Sequence, residues 1–211
     1  MKTDDAIIDA ASRHFAEYGF EGTSLRAILR DANVNAAAGH YHFGSKEAIY
    51  RATIERYLVP LSEERQRSFD SLDLSPARRQ ESLESLIHAY VAPHLQLCRS
   101  PDALPYMRMI MRFGTEQREL VQAIYQEIIH PVRKQYLDAL CEVMTPVDVD
   151  TARRLFGWTT LIMCNAPFEL NYESMSGHSA MPSNIDGLIN RVVAMCCGGI
   201  NAVVDLGGEP V

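Results

Sequence analysis

The sequence lacks the marks of a catalyst. It holds no glycine-rich phosphate loop, no Gly-x-Ser-x-Gly elbow to present a nucleophilic serine, and no Cys/His spacing suited to a metal. Its lone histidines, among them His14, His88, His130 and His178, read as ordinary surface or core residues. Five cysteines, an odd number, suit a reducing compartment better than a disulfide framework. Cys196 and Cys197 are neighbours and read as two small buried side chains rather than a redox pair. No segment alternates apolar with polar residues and no Asn-Gly turn occurs, so hairpins are not expected. Uninterrupted apolar runs stay short of the ~18 residues that cross a bilayer. No cationic stretch leads into an apolar run as in a secretory leader. These absences point to a non-enzymatic cytoplasmic chain with no cofactor, no metal and no membrane contact.

Positive charge is scarce as well. The chain carries 20 Lys and Arg against 27 Asp and Glu, a formal net charge of −7. The acidity is uneven: residues 1–67 hold 9 basic and 10 acidic side chains, residues 68–211 hold 11 and 17. A near-neutral amino-terminal third can bind nucleic acid only if its cations gather on one face.

What the chain does have is helical periodicity, with 211 residues and 47% hydrophobic content to bury a substantial core. An all-α architecture is expected. Ile8, Ala11, Phe15 and Tyr18 form one stripe of a first helix over 3–18, with Gly19 stopping it. The stretch 23–46 then reads as helix, turn, helix. Ser24 can cap the first, and Leu25, Ile28, Leu29 and Ala32 recur at helical spacing. Asn33 suits a left-handed turn position, and Asn35 can cap a second helix from about 36 to 42. This is the helix-turn-helix shape, whose second helix fits the DNA major groove.

A long helix should open at Lys46 behind Ser45, with Pro60 kinking or ending it. Ser75-Pro76, Ser100-Pro101 and Thr115 mark further starts; Pro93 interrupts its helical stretch, and Pro131 lies inside the long helix expected from Thr115 to about Met144. Two helices close the chain, over about 150–172 and 185–205, joined by a Ser/Gly/Pro-bearing linker at 173–183. The last is apolar and rich in small residues, so it suits either a subunit interface or an internal core position. Domain boundaries are expected at 1–48 for the DNA-binding head and 49–211 for a larger helical domain.

Three stretches carry a resemblance: Phe15-Ala16-Glu17-Tyr18-Gly19-Phe20, Gly22-Thr23-Ser24-Leu25-Arg26-Ala27-Ile28, and Tyr41-His42-Phe43-Gly44-Ser45-Lys46-Glu47. Together they resemble the amino-terminal DNA-binding domain of TetR/AcrR-family transcriptional regulators, over roughly the first quarter of the chain. The resemblance implies a three-helix head, a larger ligand-binding and dimerisation domain, and a homodimer formed through the last two helices. Carried over by position, Ala36, Ala37 and His40 would face base edges. Tyr41, His42 and Lys46 would reach phosphates, as would Thr23 and Ser24; Arg26 would reach base or backbone, and Asn35 belongs to the same DNA-binding set. Ser24 serves equally as a cap, and His42 could bond within the head instead. Alanines at 36 and 37 suit thymine methyls.

Gly39 departs from the family pattern, which has a larger apolar residue there. The loss of burial predicts a reading helix that is loosely held until DNA orders it. For the effector pocket, Tyr90, His94, Tyr106, Met107, Met111, Tyr125 and Phe168 are candidates, although such a stripe at helical spacing is also what a plain core looks like. The expected function is a sequence-specific repressor of double-stranded operator DNA, released by a small apolar or amphipathic effector. The alternative is a helical small-molecule-binding dimer without operator affinity, motivated by Gly39 and the acidic balance.

Overall fold

A computed structural model describes residues 3–112, 118–171 and 184–206. All regular structure among these residues is helical: α1 (Thr3–Gly22), α2 (Leu25–Asp31), α3 (Ala36–Phe43), α4 (Lys46–Asp70), α5 (Arg79–Gln96), α6 (Leu104–Arg112), α7 (Arg118–Ile124), α8 (His130–Val143), α9 (Val149–Asn165) and α10 (Ile185–Asp205). The linker expected at 173–183 and the cap expected at Thr115 lie outside the described residues. The chain forms two compact units, one from residues up to Pro60 with Asp102–Ile129, the other from Leu61–Pro101 with the rest.

In the first unit, α1, α2, α3 and the start of α4 close over an aromatic cluster. Phe15 and Phe20 meet the Tyr50 ring edge-on, at 5.0 and 5.2 Å. Ile7, Ile28, Ile49 and Ile54 complete this core, each fully buried and each worth roughly 1.5–3 kcal/mol. The middle of the expected α1 stripe, Ala11 and Phe15, is buried, but its ends depart: Ile7 rather than Ile8 is fully inside, Ile8 is half-buried, and Tyr18 is 52% exposed. Gly19 stops α1 as expected, at φ 70°, and a further helical turn carries the chain to Gly22. Helix α6 packs on α1, and Tyr57 of α4 stacks on Tyr106 of α6 at 4.6 Å.

In the second unit α5 is central and packs against α8, α9 and α10. Leu83, Leu86, Ile87, Val91 and Leu95 bury its apolar faces. The inner side of α10 presents Leu188, Ile189, Val192, Cys196 and Ile200. Burial pushes the Cys197 thiol up to about 12, so it stays protonated and serves as a small apolar filler.

The prolines break less than their chemistry suggested. Helix α4 runs through Pro60, which lies on its exposed side, where water can serve the carbonyl that loses its donor. Helix α5 continues past Pro93. Before Pro131 the backbone widens into a π turn at Tyr125–Ile129, so one long helix becomes two α segments with a re-registered joint. Helix α10 is a second correction. Its unbroken apolar runs are short, yet its mean hydropathy over 18 residues reaches 1.5, enough by length and composition to cross a membrane.

Candidate nucleic-acid interface

The turn between α2 and α3 is built from local chemistry. Ser24 Oγ accepts the Ala27 N–H at 3.2 Å and starts α2. Asn33 holds φ 56°, the left-handed value its short polar side chain tolerates. Asn35 Oδ1 then accepts the Ala38 N–H at 2.8 Å and starts α3. Gly44, at φ 73°, ends α3, and Ser45 Oγ accepts the Ala48 N–H at 3.1 Å to start α4.

Gly39 marks a close approach between α3 and Leu29 of α2. It is buried, and a Cβ added there would come within 2.4 Å of both Leu29 methyl carbons. The missing side chain is thus replaced by Leu29, itself 4% exposed, which seats directly on the α3 backbone. The sequence shows only the deleted group; the group that fills the space comes from the neighbouring helix.

With Gly39 facing inward, α3 turns Ala37, His40 and Tyr41 to solvent. Tyr41 is 88% exposed, with the edge of its ring against His42 at 5.6 Å. Arg26 on α2 is exposed too. The side chain of Ala36 lies outside what the structure describes.

Other expected phosphate contacts have work inside the head. The Thr23 hydroxyl is buried, 2.7 Å from Gly19 O and 3.1 Å from His14 O. Lys46 Nζ donates to Phe20 O at 2.9 Å and Thr23 O at 3.1 Å, and sits 4.1 Å over the Phe20 ring. Carbonyls at the end of a helix attract a cation, so Lys46 ties the end of α1 to the start of α4. His42 Nδ1 lies 2.7 Å from Asp4 Oδ1, the internal partner weighed against phosphate. His14 Nε2 meets Asp31 Oδ2 at 2.7 Å, and that hydrogen bond is the main reason the Asp31 carboxyl is held below its ordinary range.

The effector candidates divide between the two units. Tyr106, Met107, Met111 and Tyr125 belong to the first unit, and Tyr90, His94 and Phe168 to the second. Tyr106 and Met107 are core, whereas Met111 is 46% exposed. A cavity of about 640 Å³ in the second unit is lined by Ser68 of α4, Leu72 just beyond it, Glu84 and His88 of α5, and Asn190 and Val193 of α10; none of the seven candidates lines it. Tyr90 instead sits in a polar knot. Arg65 covers its ring at 4.0 Å, and Arg133 Nη1 lies 3.4 Å from its hydroxyl. Sequence reasoning missed both arginines, because a charged residue in mid-helix reads as part of a solvated face.

Known proteins share this arrangement. Residues 7–53 match the bacterial regulatory proteins of the TetR family, and residues 88–199 match a tetracyclin repressor-like C-terminal domain. The transcriptional dual regulator CecR of Shigella flexneri is 27% identical over 197 residues, which is 89% of this chain and 86% of that protein. The biofilm-operon negative regulator IcaR of Staphylococcus epidermidis is 31% identical over 103 residues, 47% of this chain and 56% of IcaR. Among solved structures, a TetR-like regulator from Rhodococcus sp. RHA1 superposes with a TM-score of 0.64 at 18% identity, covering 98% of this chain and 97% of that one. The fatty acid degradation regulator FadR of Bacillus halodurans does so with 0.60 at 18%, covering 94% and 96%. Head and larger domain both match, and the chain belongs to the TetR family of DNA-binding transcriptional regulators.

Proposed function

We propose that this regulator is a cytoplasmic homodimeric repressor that lays one α3 from each subunit into the major groove of an operator and leaves it when a small effector binds. The observation that carries this reading is the outer face of α3, where Ala37, His40 and Tyr41 stand exposed on a helix clamped by Asn35 and Leu29. Ala37 can meet a thymine methyl, His40 can meet a base edge, and Tyr41 can donate to a phosphate oxygen. Arg26 and the hydroxyl proton of Ser24 extend the phosphate contacts. Thr23, Lys46 and His42 serve by holding the head rigid. The negative regulator IcaR supports repression, and FadR, named for fatty acid degradation, supports an amphipathic effector. The close fit of Leu29 at Gly39 weakens one of the two reasons for a dimer without operator affinity.

Functional boundaries at 1–48 and 49–211 accompany this reading. The dimer would form through α9 and α10. Trp158, Leu161 and Met195 are each at least half exposed there, and Cβ atoms at Gly157, Gly198 and Gly199 would meet nothing. The apolar character of α10 then answers to a partner helix rather than to a membrane.

Selection from random duplex DNA, with fluorescence anisotropy at several salt concentrations, tests the reading. Salt-sensitive binding to a near-palindromic site, weakened at least tenfold by Tyr41→Ala, is expected. Binding without sequence preference, or affinity indifferent to Tyr41→Ala and Arg26→Ala together, would overturn it.

A further inference from the structure

Arg65 is 6% exposed, and its surroundings are neutral. Its Nε donates to Tyr90 O at 3.0 Å, its Nη2 lies 3.2 Å from Met163 Sδ, and its guanidinium covers the Tyr90 ring. Nothing among the described residues is hydrogen-bonded to Nη1, and no carboxylate there forms an ion pair with Arg65. A second cation meets the same tyrosine. Arg133 Nη1 donates to Thr160 Oγ1 at 2.6 Å, with Tyr90 Oη at 3.4 Å, and its guanidinium lies 4.9 Å from the Phe156 ring centre. Arg133 likewise forms no ion pair among the described residues.

Buried guanidinium groups are normally paired, because the loss of hydration is not recovered from carbonyls and ring faces alone. A clamp for the α5 backbone would explain Nε of Arg65. It would not explain a second arginine converging on the side chain of the same residue. Arg133 is half-buried, and its charge, meeting the same tyrosine as that of Arg65, leaves two like charges that repel each other and share a need for an anion. Arginine also offers the paired N–H geometry that suits a carboxylate. Tyr90, Tyr136, Phe156 and Met163 supply largely apolar neighbours.

The geometry points to an anion-binding subsite in which Arg65 and Arg133, with Thr160 and the Tyr90 hydroxyl, take the carboxylate of a small amphipathic acid. This rests on the effector-responsive repressor proposed for the chain and sharpens it: the effector carries a negative charge as well as an apolar body. Anion entry would draw both guanidiniums onto one ligand and so link α4, α5, α8 and α9, which carry these side chains.

Thermal melting tests this without knowledge of the natural ligand. Decanoate, benzoate and salicylate are each added to the whole protein beside the matching primary amide, at equal ionic strength. At least one acid is expected to raise the midpoint by several degrees while its amide does not, with that difference abolished in both Arg65→Gln and Arg133→Gln. Glutamine at 65 keeps a donor for Tyr90 O, so loss of response separates anion binding from backbone support. Equal effects of acids and amides on the wild-type protein would overturn the inference, as would an acid-specific shift that survives both substitutions. Operator binding by the untreated wild-type protein is measured separately. Its presence beside a failed anion test refutes the subsite alone, and its absence refutes the regulator reading.

Discussion

At the scale of single residues, Gly39 and Leu29 decide how α3 is held. Alanine favours a helix over glycine by about 1 kcal/mol. At position 39, however, its Cβ would meet both Leu29 methyl carbons at 2.4 Å, and overpacking of this kind costs about 1–3 kcal/mol. Gly39→Ala is therefore expected to destabilise the head slightly and to weaken DNA binding more than that, because α3 is displaced. Leu29→Ala alone leaves a cavity. Combined with Gly39→Ala it should cost less than the two single changes added, and a double-mutant cycle by urea unfolding checks this coupling. His94 sets a second expectation. Burial, reinforced by Arg65, lowers its pKa to about 3, whereas an unfolded chain takes up the proton near 6.5. The unfolded state therefore binds more protons below pH 6.5, and stability falls as pH drops from there toward 3. The loss is about 2 kcal/mol between pH 6.5 and 5. Urea midpoints across that window should fall steeply in the wild-type protein and less in His94→Gln.

At the scale of elements, what could be read from the sequence was what is decided within a few residues. The caps at Ser24, Asn35 and Ser45, the left-handed Asn33 and the stop at Gly19 each depend on their own side chain and the next turn. What could not be read depends on partners distant in sequence: where the buried stripe of α1 begins and ends, what fills the space at Gly39, where Arg65 and Arg133 point. The prolines show the same divide. A lost donor is visible at Pro60, Pro93 and Pro131, but a solvent-facing position or a π turn that absorbs it is a property of the folded chain. Asn35 offers an element-level test, since it caps α3 and also flanks the DNA face. Asn35→Ala should cost about 1 kcal/mol of head stability and weaken DNA binding with it. Asn35→Asp keeps the cap, because aspartate accepts the same N–H, but it adds negative charge beside the phosphates. Melting close to the wild-type value, with DNA affinity lower than in Asn35→Ala, would show the two roles apart.

At the scale of the whole molecule, the proposed operator recognition requires two heads acting together, which would make the face that joins the subunits as much a part of the DNA site as α3. The faces of α9 and α10 allow that dependence to be tested without disturbing the subunit core. A Cβ at Gly198 would have no neighbour within 4 Å, so Gly198→Phe should leave the isolated subunit intact; replacing a helical glycine even favours the helix. In a dimer packed closely along α10 the same ring would have nowhere to go. Sedimentation velocity should then report a monomer, with circular dichroism unchanged. Operator affinity should drop by a factor of about 10²–10⁴, because the second head no longer benefits from the first one's attachment. Affinity for an isolated half-site should change little, since α3 itself is untouched. A Gly198→Phe protein that still sediments as a dimer would move the interface off α10. A monomer that keeps full operator affinity would mean that one head suffices.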